Sequence, residues 1–110
     1  MDQENGKVNE YAIEWTRGGL DSLGRILEYI AQDKPGAAEK FRDEVFAHAD
    51  LLKKAPQLGR IVPEKGNPNI RELLHGNYRI IYRVRPRLKK VQIVLVWHGK
   101  RLLRRLSFHW

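Results

Sequence analysis

Residues 70–97 read IRELLHGNYRIIYRVRPRLKKVQIVLVW, and the periodicity of this stretch decides the fold. Ile70 to Leu74, Tyr78 to Val84 and Val91 to Trp97 are rich in Ile, Val, Leu and Tyr, the residues that suit a pleated, half-buried surface. His75-Gly76-Asn77 and Arg85 to Lys90 separate them, so the stretch predicts three strands in an antiparallel meander. Within the middle strand, alternation sends Ile80, Tyr82 and Val84 to one face and Arg79, Ile81 and Arg83 to the other. The first set is assigned to the core, so two arginines should project from the uncovered face.

Moving toward the N-terminus, Ala55 to Asn69 carries Pro56, Gly59, Pro63, Gly66 and Pro68 and reads as an irregular loop. Before it, Ala38, Phe41, Val45, Ala49 and Leu52 recur at helical spacing, with Pro35 placed as the first residue of the helix, where its missing N–H is not needed. Leu20, Leu23, Leu27 and Ile30 form a second stripe, capped by Thr16 and weakened by Gly18, Gly19 and Gly24. Tyr11, Ile13 and Trp15 alternate with Ala12, Glu14 and Thr16 as a first strand. The expected architecture is α+β in the order β-α-α-β-β-β, a helical hairpin packed on one face of a mainly antiparallel sheet. The chain reads as a single domain, 1–110, with a frayed start at 1–8 and a basic C-terminal segment at 100–110 that forms a short helix or a tail.

The 110 residues include 42% hydrophobic and 31% charged, a globular balance. There is no cysteine, which excludes disulfides and thiolate metal sites and fits a reducing compartment. The polar start lacks the apolar core of a signal peptide, and Val91 to Trp97 is too short to span a bilayer, so a cytoplasmic location without membrane association is expected. The formal charge of +8 is unevenly spread. Residues 1–72 hold 11 Lys+Arg against 13 Asp+Glu, whereas residues 73–110 hold 10 Lys+Arg and no acid. Such a one-signed segment attracts nucleic acid or an acidic protein segment.

If Arg71, Arg79, Arg83, His98 and Arg101 reach one concavity, they form a guanidinium cluster with an imidazole. Arginine forks bind phosphate in bidentate fashion, and a histidine near its ordinary pKa passes protons at neutral pH, a set suited to phosphate recognition or metal-free RNA cleavage. Arg104, Arg105 and His109 surround Phe108 and Trp110, which could stack on a base or anchor a partner. Glu72, the one acid near this cluster, reads as the ion-pair neighbour of Arg71. His48 and His75 read as structural. No metal-ligand spacing, phosphate-binding loop, nucleophile elbow or carboxylate pair is present, so neither a metal nor another cofactor is expected.

The strings Tyr11-Ala-Ile-Glu-Trp-Thr, Tyr29-Ile-Ala-Gln-Asp-Lys-Pro, Pro56-Gln-Leu-Gly-Arg60-Ile-Val-Pro-Glu64, Ile70-Arg-Glu-Leu, Tyr78-Arg-Ile-Ile-Tyr-Arg-Val and Val96-Trp-His-Gly-Lys-Arg101 resemble, in order and spacing, the RelE/ParE toxin superfamily. The resemblance spans roughly residues 9–101. It implies a toxin of a type II toxin–antitoxin, or plasmid stabilization, system, held inactive by an antitoxin whose acidic or amphipathic segment wraps it. ParE-like members poison DNA gyrase without a known catalytic residue; RelE-like members are ribosome-dependent mRNA endonucleases. By resemblance Arg79 matches the arginine of the RelE-like strand motif and Arg101 the one after Gly-Lys. Ile70 and Glu72 stand where RelE-like catalytic lysines would be, and no tyrosine follows Tyr82.

The leading expectation is therefore a ParE-like growth inhibitor that acts by binding an essential DNA-handling target such as DNA gyrase, and is not an enzyme. The alternative is a metal-independent mRNA endonuclease acting with the ribosome, with Arg79, Arg101 and His98 catalytic. A second alternative is a non-catalytic nucleic-acid-binding module. Under any of these the expected binding residues are Arg71, Arg79, Arg83, Lys100, Arg101, Arg104 and Arg105. The expected partner is a cognate antitoxin, with gyrase, or ribosome and mRNA, as the target. A homodimer and a toxin–antitoxin heterotetramer both remain compatible with the sequence.

Overall fold

The computed structural model describes residues 9–99. Its elements are β1 (Ala12–Trp15), α1 (Arg17–Ala31), α2 (Pro35–Asp50), β2 (Arg60–Ile61), β3 (Ile70–His75), β4 (Tyr78–Arg85) and β5 (Lys90–His98), with single 3₁₀ turns at Leu51–Lys53 and Pro86–Leu88. The five strands form one sheet in the order β1-β5-β4-β3-β2. All neighbours are antiparallel except β1, which runs parallel to β5 and pairs Ile13 with Val91 and Trp15 with Ile93. The helices connect β1 to the rest of the chain and cover one face of the sheet. The meander read from the sequence is present, extended by a residue or two at strand ends.

β2 is an addition to the expected architecture. Arg60–Ile61 pairs with Glu72 and Arg71 inside the segment read as loop. Two residues flanked by glycine and proline carry no measurable alternation, so only the neighbouring strand reveals them. The register shift between Ile81 and Tyr82 is likewise invisible in the pattern: Ile81 faces Leu95 while Tyr82 faces Ile93, leaving Val94 as the extra residue of a bulge.

The main core lies between the helices and the sheet. Leu23, Val45, Ala49 and Leu52 meet Leu73, Ile80, Tyr82, Val84, Val91, Ile93 and Val96 there. Pro35 begins α2, and Ala38, Val45, Ala49 and Leu52 are buried as their spacing predicts. Thr16 caps α1 by accepting from the Gly19 N–H at 3.2 Å and donating to the Ile93 carbonyl at 2.9 Å, an arrangement worth about 1 kcal/mol.

The expected stripe on α1 holds at Leu23 and Leu27, which face the core, but turns away from Leu20. Leu20 is 48% exposed, and the buried residues are Gly19, Ser22 and Leu23. The cause is close packing: a Cβ on Gly19 would collide with the Ile93 carbonyl, so only glycine lets the first turn lie flat on β5. Ser22 follows one turn later and accepts the Val96 N–H at 2.9 Å. The glycines that weaken the helix in isolation are what dock it.

The opposite face of the sheet is not bare. The chain between α2 and β3 runs around the β3 edge and returns over it, burying Val62 against Ile70 and Ile81 beside Val94, Leu95 and Trp97. Gly59 makes the crossing. Its N–H donates to the Tyr82 hydroxyl at 2.9 Å, and a Cβ there would strike the Glu72 carbonyl.

Candidate functional site

Paired residues share a side of the sheet, so the register assigns each predicted site residue a face. Arg79 pairs with Leu74 and Trp97, and Ile81 with Glu72, on the face away from the helices. Arg71 pairs with Tyr82, and His98 with Tyr78, which puts both on the helical side. Arg71, Arg79 and His98 therefore do not converge as expected. Arg71 instead ties down the crossing loop, donating to the carbonyls of Pro68 at 2.8 Å and Gly59 at 2.9 Å. His98 meets the Tyr78 ring edge-on at 5.4 Å. Lys100, Arg101, Arg104 and Arg105 lie outside the described residues.

Arg79 faces the predicted way, but it is covered. Its side chain is 6% exposed and sits between Glu64 at 18% and Glu72 at 0%. Nε donates to Glu72 at 2.6 Å, while Nη1 and Nη2 form a fork on the two oxygens of Glu64 at 3.0 and 2.8 Å. Arg60, exposed on the short β2, donates to the second oxygen of Glu72. The two glutamates raise the Arg79 pKa, Glu64 most strongly, against the opposing effect of burial. The guanidinium is thus permanently charged and already neutralised, and a phosphate reaching it would have to displace Glu64.

The hollow expected to be poor in carboxylates holds two, and Glu72 pairs with Arg79 and Arg60 rather than with Arg71. Alternation predicts faces but not what a loop lays over them. Glu64 carried no signal beyond its place in the quoted loop string.

At the other end of the same face, Arg83 borders an open groove of about 500 Å³ between the β4–β5 connection and the loop before β3. Asn67, Asn69, Arg85, Arg87 and Leu88 are among its lining residues. Arg85 and Arg87 were missed as site residues, although the string Arg83-Val84-Arg85-Pro86-Arg87 announces three arginines at alternate positions. The turn is fixed by Pro86 at its start and by Lys89, whose φ of 50° lies in the left-handed region.

The helical side offers a larger hollow of about 730 Å³, where α1 passes the free part of the β5 edge. Ser22, Ile26, Tyr29, Tyr78, Trp97 and His98 line it. Nearby, His48 and His75 meet at 3.1 Å through their Nδ1 atoms, and Glu44 lies 3.6 Å from His75 Nε2. Burial, then the neighbouring His75, lowers the His48 pKa below its ordinary value. These two histidines join α2 to the end of β3, in keeping with a structural role. Among the described residues no group of three His, Cys, Asp or Glu gathers to hold a metal ion, and no helix is long and apolar enough to cross a membrane.

A hairpin of helices on one face of a five-stranded, mainly antiparallel sheet defines a small α+β domain. The sequence of residues 13–103 matches the family described as the ParE toxin of the type II toxin–antitoxin system parDE, and the chain belongs to that family. Solved structures show the same fold. The chromosomal ParDE toxin–antitoxin system of P. aeruginosa aligns with a TM-score of 0.69 at 20% identity, over 84% of this chain and 99% of the other. The toxin–antitoxin complex RelBE2 of Mycobacterium tuberculosis aligns with a TM-score of 0.53 at 20% identity, over 81% and 91%. No curated protein matches the chain. The protein is thus a toxin of the ParE/RelE type from a toxin–antitoxin system.

Proposed function

We propose that the protein arrests growth by binding an essential DNA-handling target such as DNA gyrase, without cutting RNA, and that a cognate antitoxin neutralises it. The observation that carries this reading is the state of Arg79. Phosphoryl-transfer chemistry at this position would need an open guanidinium with an acid–base partner beside it. Arg79 is instead held by Glu64 and Glu72, and His98 lies on the other side of the sheet. Two further features agree. The positions of the RelE-like lysines hold Ile70 and Glu72, and Glu72 is locked into the ion-pair network. A basic C-terminal third without acids, residues 73–110, would draw in an acidic antitoxin segment and speed its association.

The test is induction of the chain alone and together with the product of the neighbouring small gene. Growth arrest with gyrase-dependent chromosome breaks, relieved by the partner, is the expected result. Transcripts cut in codon register with intact chromosomes would overturn the reading in favour of an mRNA endonuclease. The absence of any arrest would remove the toxin activity itself.

A further inference from the structure

The groove at the β4–β5 connection is built differently from the Arg79 site, and no role has been assigned to it. We infer that it is a docking site for the phosphate backbone of duplex nucleic acid. Residues 83–90 read RVRPRLKK, five cations in eight residues with no acid among them. Arg83 and Arg85 stand two apart on β4 and project to the same side, about 6.8 Å from one another at strand rise. Arg87 follows on the 3₁₀ turn that Pro86 and the left-handed Lys89 hold in place.

Glu64 and Glu72 are committed outside this string, to Arg79 and Arg60. Glu14 on β1 accepts from Gln92 at 2.6 Å and lies 3.9 Å from Lys90, which offsets the charge at the Lys90 end of the string. Among the described residues neither Arg85 nor Arg87 has a carboxylate partner. Asn67 and Asn69 at the groove wall add amide groups of the kind that contact phosphate and sugar oxygens.

The lining also selects among polyanions. Single strands are held by aromatic side chains on which bases stack, and none of the described residues that line this groove is aromatic. Protein partners are anchored by aromatic or large apolar groups filling well-packed pockets, whereas this groove is open and Leu88, the large apolar side chain among its described lining residues, is 55% exposed. What remains is charge and amide recognition of a regular phosphate array. Binding of this kind is independent of sequence and strongly dependent on salt, because each neutralised phosphate releases condensed counterions. This surface is separate from the growth-arrest reading, and its test is a binding measurement that does not require toxicity.

The experiment measures fluorescence anisotropy of a short labelled DNA duplex with the purified full-length chain across a salt series. Arg85→Gln/Arg87→Gln is compared with Lys34→Gln/Lys40→Gln, which removes the same charge from exposed positions on the helical hairpin. Circular dichroism and the unfolding midpoint establish that each variant is folded. Each phosphate contact contributes about 0.9 to the slope of log K against log salt, so the groove variant should lose roughly 1.8 of it. The hairpin variant should keep the slope, and Arg85→Lys/Arg87→Lys should restore it. The inference is overturned by equal slopes in the two Gln variants or by no duplex binding at low salt. Binding of the single strand as tight as the duplex, or displacement of the duplex by an acidic peptide at equal charge, would also overturn it.

Discussion

Arg79 and Arg83 stand four residues apart on one strand and face the same side of the sheet, yet they belong to different chemistries. Over Arg79 the chain returns with Glu64 and Val62, and Glu72 rises from the adjacent strand, so charge, fork and hydrogen-bonding directions are turned inward. Around Arg83 the same returning segment lines the groove with Asn67 and Asn69, and the connection adds Arg85 and Arg87. The strand pattern is the same at both ends. The difference lies in which side chains a loop without periodicity delivers, so a cationic strand residue acquires a function or a structural duty from its covering.

The largest effect expected from this contrast is on stability. Arg79→Ala removes the guanidinium that Glu64 and Glu72 share and leaves the exposed Arg60 as the remaining cation on the buried Glu72, in a site from which water is largely excluded. Breaking a buried pair in this way typically costs about 3–5 kcal/mol. Denaturant unfolding would measure it, and a loss under about 0.5 kcal/mol would mean that Arg79 is as solvated as an ordinary surface arginine. Next in size is Gly59→Ala. The added methyl meets the Glu72 carbonyl and the Tyr82 hydroxyl, so the crossing loop must shift. Overpacking of this kind costs about 1–3 kcal/mol, and hydrogen exchange at Val62, whose N–H donates to the Ile70 carbonyl at 2.9 Å, should accelerate as the loop lifts from β3.

Most of the fold was legible in the sequence because its elements are long enough to show a period. The α2 stripe from Ala38 to Leu52 and the faces of β4 follow from spacing alone. The candidate site was legible only in part. Arg83 belongs to a groove, but Arg71 and His98 fall on the helical side because the register of β3 and β5 against β4, which no single strand encodes, decides which residues share a face. Arg79 faces the predicted way, and its burial depends on Glu64, fifteen positions away in a segment punctuated by proline and glycine. Gly19 shows the same limit from the other direction. Helix propensity counts it as a weakness, whereas packing against Ile93 makes it a requirement.

A smaller effect should appear with pH. The folded state lowers the His48 pKa, so below the unfolded value of about 6.5 the unfolded chain binds the proton more readily than the native one. The stabilisation from neutral His48 is complete above that value and is lost as pH falls through it toward the lower folded pKa. The unfolding midpoint should therefore drop between neutral and mildly acidic pH. Replacing His48 with Gln should flatten that drop relative to the parent chain. An identical drop in both proteins would show that the contact between His48 and His75 does not couple protonation to folding.

The smallest expected effect on stability completes the comparison. Replacing Arg85 and Arg87 together with Gln removes two charges without opening a cavity or stranding a buried carboxylate, since neither side chain has a carboxylate partner among the described residues. Arg87 is exposed and Arg85 half-buried, and substitutions at the surface away from packed features shift stability by no more than about 0.5 kcal/mol each. Relief of repulsion within the RVRPRLKK string should make the net change zero or slightly favourable at low salt, and added salt should erase it by screening. Unfolding of the double variant at low and high salt would measure this. A loss approaching that of Arg79→Ala would mean that the groove, too, is part of the packed structure, and the distinction between the two ends of the sheet face would collapse.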